Sequence, residues 1–160
     1  MANHEIVDCR GGRDAEVTTL ILDIQRSDVG LHVPVEEQPE LLDLATAYRN
    51  GAYWLAVDGD AVVGTIGMVR YGDSPILKKL FVRHDHRGPS GAGRDLYDTV
   101  LAWTKAQGLA EILLDTPAVE TRSHAFYQRR GFRIAERSAL PAGYAFPDRD
   151  SLIFRLDLRT

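Results

Sequence analysis

Between residues 76 and 115 the apolar period of the chain changes twice, and that change limits the possible folds more than any other feature. Residues 76–82 (ILKKLFV) are rich in strand formers. Residues 91–107 carry Leu96, Val100 and Trp103 on one helical face, with Gly108 as terminator, and residues 111–115 (EILLD) form an apolar run of buried-strand length. A strand, a helix and a second strand in this order make a crossover unit, with the strands parallel in one sheet and the helix across its face.

The flanking segments extend that unit. Residues 5–10 read as a strand, and Asp14 can cap a helix whose Val17, Leu20, Ile21 and Ile24 fall at helical spacing and which should end near Arg26. A second helix is expected from Pro39, with Leu41, Leu42, Ala45 and Tyr48 as its apolar stripe and Gly51 as its end. Residues 53–57 and 61–71 read as strands joined through Asp58-Gly59, a hairpin signal. Residues 121–130 read as a helix stopped by Gly131, and residues 132–139 and 151–157 as closing strands. The order β-α-α-β-β-β-α-β-α-β-β predicts an α/β (α+β) fold: a mixed, mostly antiparallel sheet of six to seven strands with helices on both faces. With 160 residues the expectation is one domain over 1–160.

A net charge of −4 argues against a general nucleic-acid binder, since duplex affinity rests on neutralising phosphates. The local distribution says more. Residues 28–48 hold Asp28, Glu36, Glu37, Glu40 and Asp43 without a Lys or Arg, whereas residues 78–105 hold six basic residues against three acidic ones, so the two ends of the domain can attract opposite charges. The longest near-apolar stretch, residues 61–69, is far short of a membrane span, and the first residues lack a basic segment followed by an apolar one, so a cytoplasmic location without membrane association is expected. The one cysteine, Cys9, rules out an intramolecular disulfide or a Cys-based metal cluster.

The chemistry concentrates in Arg87-Gly88-Pro89-Ser90-Gly91-Ala92-Gly93-Arg94, between a strand and a helix. The first N–H groups of a helix have no partner within it, the helix dipole favours negative charge there, and Arg87 and Arg94 add cations. Gly91 and Gly93 let phosphate oxygens approach the backbone, so a diphosphate suits this turn; the competing reading is a glycine-rich connection with no ligand. A P-loop would need Gly-Lys followed by Ser or Thr, and the dinucleotide fingerprint would need a third glycine among residues 94–96, which are Arg-Asp-Leu. Both fit poorly, although a protein using the turn for ATP or NAD remains a rival.

The stretch LFVRHDHRGPSGAGRDLYDTVLAW resembles the acetyl-CoA motif of the GNAT acetyltransferases, and AFYQRRGF, residues 125–132, resembles that family's C-terminal helix motif. IVDCRGG, QPELLD, VGTIGM, LKKLFV and LPAGYAFPDRDSLIFRLDL are similar to a bacterial GNAT subgroup with no uniform acceptor. The resemblance implies the GNAT acyl-CoA N-acyltransferase fold and acetyl-CoA as co-substrate with no metal. It also implies direct acetyl transfer to a primary amine of a small molecule or peptide; a non-catalytic acyl-CoA-binding module of the same fold is the alternative, and a homodimer is left open. It assigns Gly88, Ser90, Gly91, Ala92 and Gly93 with the two arginines to the pyrophosphate. Gly91 follows Arg87 by four residues where the family pattern has three, so either the loop carries an extra residue or Ser90 and Ala92 take the glycine positions.

By the same resemblance the pantetheine arm lies between splayed strands, here 79–82 and 112–115, against the backbone of Leu80, Phe81 and Val82. His124 is a candidate cofactor contact, and Tyr127 matches the position that protonates the departing thiolate. Transfer from a phenol to a thiolate is uphill by roughly 2 kcal/mol at ordinary pKa values, which favours hydrogen bonding with late transfer. An alkylamine must lose a proton before attack; Asp73, Glu37, Glu40 and His32 are candidate bases, and the sequence assigns none. His84-Asp85-His86 lacks the further ligands of a metal site.

Overall fold

The computed structural model describes residues 4–9, 11–30, 32–89, 91–145 and 150–159. Arg10, the expected end of the first strand, and Ser90, a candidate for the phosphate turn, lie outside the described residues. Seven strands form one sheet: β1 (Glu5–Asp8), β2 (Ala52–Asp58), β3 (Ala61–Tyr71), β4 (Ser74–Val82), β5 (Glu111–Pro117), β6 (Arg133–Ala135) and β7 (Ser151–Asp157). The spatial order is β1-β2-β3-β4-β5-β7-β6, antiparallel everywhere except between β4 and β5.

The helices are α1 (Asp14–Val29), α2 (Leu44–Ala47), α3 (Ala92–Ala106) and α4 (Thr121–Arg129). α1 runs past the expected stop at Arg26 because its last turn continues to Gly30, which ends the helix with φ 66° and donates its N–H to the Arg26 carbonyl at 3.0 Å. The expected second helix is broken. Residues Val35–Glu37 and Pro39–Leu42 are 3-10 turns, and Asp43, at φ −151°, interrupts the run and caps α2 by accepting from the Thr46 N–H at 3.2 Å. The interruption moves the buried set to Leu41, Leu44 and Tyr48 and leaves Leu42 exposed. The expected strand 132–139 shortens to β6 and a 3-10 turn at Arg137–Ala139.

Strand alternation divides the core between the two faces of the sheet. Trp54 and Ala56 of β2 face α3 and α4 with Leu96, Tyr97, Val100, Tyr127 and Phe154, whereas Tyr53, Leu55 and Val57 face α1 with Val17, Leu20, Ile21 and Ile24. Each fully buried Leu or Ile here contributes roughly 1.5–3 kcal/mol of transfer free energy.

Two irregularities meet at β4. The register with β3 passes from Thr65↔Phe81 to Gly67↔Lys78, so β4 holds one extra residue, and Lys79 takes φ 57° there. β4 pairs with β5 at Ile76↔Leu113 alone, so residues 77–82 part from β5. The bulge and the parting strands open the middle of the sheet.

Candidate active site

Two clefts lie on either side of that opening. The first, about 1,080 Å³, runs from the opening to the N-terminus of α3 and is walled by α4 and the end of α1. The second, about 580 Å³, lies between β4, β5 and the segment that contains the two 3-10 turns. Leu80, Phe81, Glu120, Ser123 and Tyr127 line both.

The first cleft contains much of the glycine-rich turn. Gly88, Gly93, Arg87 and Arg94 line it, with Leu80, Phe81 and Val82 of β4. Arg122, Arg129 and Arg130 join them, so five arginines face two carboxylates, Asp28 and Glu120. Arg87 is engaged on two sides: its Nε donates to the Val82 carbonyl at 2.8 Å and its Nη2 to Asp28 at 2.7 Å, while Nη1 is buried with no hydrogen-bond partner. Arg87 therefore takes up part of the accepting capacity of the Val82 carbonyl, one of the backbone groups expected to contact the pantetheine arm.

The glycines divide by reason. A Cβ on Gly91 would stand 2.4 Å from the His86 carbonyl oxygen, so the turn itself requires glycine there. A Cβ on Gly93 would meet only Val82 and Phe126, at 3.6 and 3.7 Å, and Gly93 lines the cleft. Gly91 and Ala92 are buried and line neither cleft. The missing side chain that leaves room for a ligand is thus at Gly93. His124, the candidate cofactor contact, also lines neither cleft; its Nε2 is 3.0 Å from the Pro117 carbonyl oxygen and its ring packs on Phe154.

Tyr127 stands where the clefts meet, 5% exposed, among Phe126, Phe132 and Phe154. Burial, and secondly the Glu120 carboxylate, push its phenol well above the ordinary value, so it stays protonated and able to donate. Glu120, just before α4, accepts from the Thr116 hydroxyl at 3.1 Å. Burial raises its carboxyl above the ordinary value, opposed by that hydrogen bond. A carboxylate with raised proton affinity touches both clefts at Glu120, a residue that residue pattern alone did not single out. Its sequence signal was only a carboxylate between a strand and the helix with the Phe-Tyr motif, a position that also reads as a charge at a helix N-terminus.

Of the earlier candidate bases, Glu37 and Glu40 line the second cleft, whereas Asp73 and His32 line neither cleft. Glu40 is 3.5 Å from the Lys79 ammonium, which also donates to the Gln38 side-chain oxygen at 2.5 Å. Gln38 and Gln25 exchange two amide hydrogen bonds at 3.1 Å and hold this wall together. Asp28, the first carboxylate of the acidic run 28–48, sits with Arg87 in the first cleft, apart from Glu37 and Glu40. Among the described residues no helix is long and apolar enough to cross a membrane.

Residues 19–132 match the family described as Acetyltransferase (GNAT) family. The chain is 34% identical to an acetyltransferase from Streptococcus agalactiae, whose crystal structure superposes with a TM-score of 0.91 over 99% of this chain and 100% of that one. A GNAT-family acetyltransferase from Staphylococcus aureus gives 29% identity and a TM-score of 0.90 over 98% and 99% of the two chains. A mouse protein named probable N-acetyltransferase family 8 member 5 is 31% identical over 104 residues, 60% of this chain and 45% of that protein. The chain spans about half the length of the curated relatives it matches. With a family match over most of its length, and with paired clefts beside an opened parallel strand pair, the chain belongs to the GNAT family of acetyltransferases.

Proposed function

We propose that the protein transfers an acetyl group from acetyl-CoA directly to a primary amine of a small molecule or peptide. The observation that carries this reading is the junction itself: two clefts, one rich in arginine and one of mixed charge, share Leu80, Phe81, Glu120, Ser123 and Tyr127 where β4 leaves β5. The donor set of the first cleft suits CoA. Five arginines, a glycine-lined helix start and the partnerless Nη1 of Arg87 match a phosphate-bearing ligand. Acetyl-CoA supplies the activated thioester; the protein supplies position and proton management.

In this reading Arg87, Arg94, Gly88 and Gly93 face the pyrophosphate, and the backbone of Leu80 and Phe81 aligns the arm and presents N–H groups to the developing oxyanion. Glu120 accepts the proton that the amine must lose. Tyr127 donates a hydrogen bond to the leaving sulfur. Because burial holds its proton more firmly than a free phenol would, hydrogen-bond donation outweighs full proton transfer.

Calorimetric titration with CoA, ATP and NAD, followed by turnover of acetyl-CoA with an amine panel, tests the proposal. Selective CoA binding, with Tyr127→Phe losing about 10- to 100-fold in kcat at unchanged CoA affinity, is the expected result. Folded protein that ignores CoA refutes the reading. CoA binding without turnover of any amine favours a non-catalytic binding module instead.

A further inference from the structure

This inference rests on the acetyl-transfer reading and concerns what the second cleft accepts. Lys78 and Tyr48 both line that cleft and are related through Gly67. Gly67 pairs with Lys78 across β3 and β4, and Tyr48 packs on Gly67, where an added Cβ would stand 2.7 Å from its ring. The Lys78 ammonium donates to the Tyr144 hydroxyl at 3.3 Å and lies 5.1 Å from the centre of the Tyr144 ring. Among the described residues no carboxylate lies within ion-pair distance of it. Tyr48 is 4% exposed, and its hydroxyl has no hydrogen-bond partner.

The other charged groups of the cleft have partners. Lys79 meets Glu40, Asp115 accepts from Tyr144, and Glu120 accepts from Thr116. A buried hydroxyl without a partner is costly unless a ligand supplies one, and Lys78, which reaches the Asp115 carboxylate only through the Tyr144 hydroxyl, keeps donors for a further anion. The cleft thus offers donors near Lys78 and a proton acceptor at the junction.

We propose that the second cleft takes an acceptor carrying both an amine and a carboxylate, the amine at Glu120 and the carboxylate at Lys78 and the Tyr48 hydroxyl. At roughly 3.3 Å per strand residue, Lys78 is at most about 7–10 Å along the main chain from the Leu80–Phe81 junction, the bulge at Lys79 shortening that span, which limits the separation of the two groups. A short ω-amino acid or a dipeptide spans that distance, whereas the two groups of a free α-amino acid are too close together to reach both ends. Val69, Tyr71, Leu77 and Leu114 line the cleft and suit a methylene spacer.

The test compares acetyl transfer to 6-aminohexanoate, to its primary amide and to 1,6-diaminohexane, in the wild type, Lys78→Gln and Tyr48→Phe. The wild type should prefer the carboxylate over the amide by about 10- to 100-fold in kcat/KM, and the preference should shrink to within about threefold in Lys78→Gln. Tyr48→Phe removes a hydroxyl that has no partner, so it should keep the melting temperature and lose part of the preference. Amide or diamine turned over as well as the amino acid overturns the inference. If none of the three is acetylated while another amine of the panel is, the inference is overturned; if no amine is acetylated, the transfer reading fails, and calorimetric binding of 6-aminohexanoate against its amide decides the inference separately. Carboxylate-dependent binding lost in Lys78→Gln sustains it; equal binding, or none, overturns it.

Discussion

The Thr65 hydroxyl donates to the backbone carbonyl of Lys79 at 2.7 Å, bridging β3 to the one non-glycine residue with positive φ among those described. The left-handed conformation costs a lysine roughly 1–2 kcal/mol, and this hydrogen bond helps hold it. Thr65→Val keeps the shape and removes the donor. It should lower stability by about 1–3 kcal/mol in denaturant titration and raise the KM for acetyl-CoA, because Leu80 and Phe81 follow the bulge directly; Thr65→Ser should restore both.

Glu120→Gln should cut acetyl transfer by about 10²- to 10⁴-fold while leaving CoA affinity unchanged, measured by steady-state kinetics beside calorimetry. The wild-type kcat/KM should rise with pH through a value above the ordinary carboxylate range, and that limb should vanish in the variant. Stability moves the opposite way. A carboxyl raised by folding binds its proton more tightly in the native state, so stability falls as pH rises through the window above 4.5. Glu120→Gln should therefore be at least as stable as the wild type at neutral pH.

Gly93→Val and Gly91→Ala should separate ligand room from loop geometry. Gly93→Val should preserve the melting temperature and weaken CoA binding by at least about tenfold, because its side chain enters the cleft. Gly91→Ala should lower the melting temperature, because its Cβ collides with the His86 carbonyl. Equal effects of the two on CoA binding, with both folds intact, would contradict this division.

His86 ties the turn after β4 to the β2–β3 hairpin, with ring nitrogens 2.8 Å from Asp58 and 2.8 Å from Asp85. The Asp58 hydrogen bond is the main influence raising its pKa above 6.5. Its stabilisation is complete below the unfolded value of 6.5 and is lost as pH rises through the higher folded value. The stability advantage of the wild type over His86→Gln should thus be largest near pH ~5.5 and shrink toward pH ~8, read from paired thermal melts.

The lining of the arginine-rich cleft is largely local in sequence: a strand, a turn with Arg87 and Gly93, and a helix start are contiguous, and Tyr127 stands in a motif. The lining of the second cleft is not. Gln38, Tyr48, Lys78, Glu120 and Ala145 meet only after the sheet forms, and no spacing rule joins them. The second helix failed as an expectation because the capping chemistry of Asp43 overrode the apolar stripe around it. The motif gave no sign that the His124 ring lies against a backbone carbonyl within its own βα connection. Glycine content likewise did not distinguish Gly91 from Gly93, since only the folded loop reveals which Cβ would strike the backbone.

The single pairing position between β4 and β5 means that the chain does not finish its own sheet. In the proposed reading the hydrogen-bond ladder is completed by a metabolite, so part of the fold's resistance to unfolding is borrowed from the surrounding pool. At a hundredfold excess over Kd such a ligand adds about 2.7 kcal/mol. The lifetime of the protein against proteolysis would then follow the cell's supply of activated acetyl groups, and the abundance of the enzyme would report on the supply of its own substrate.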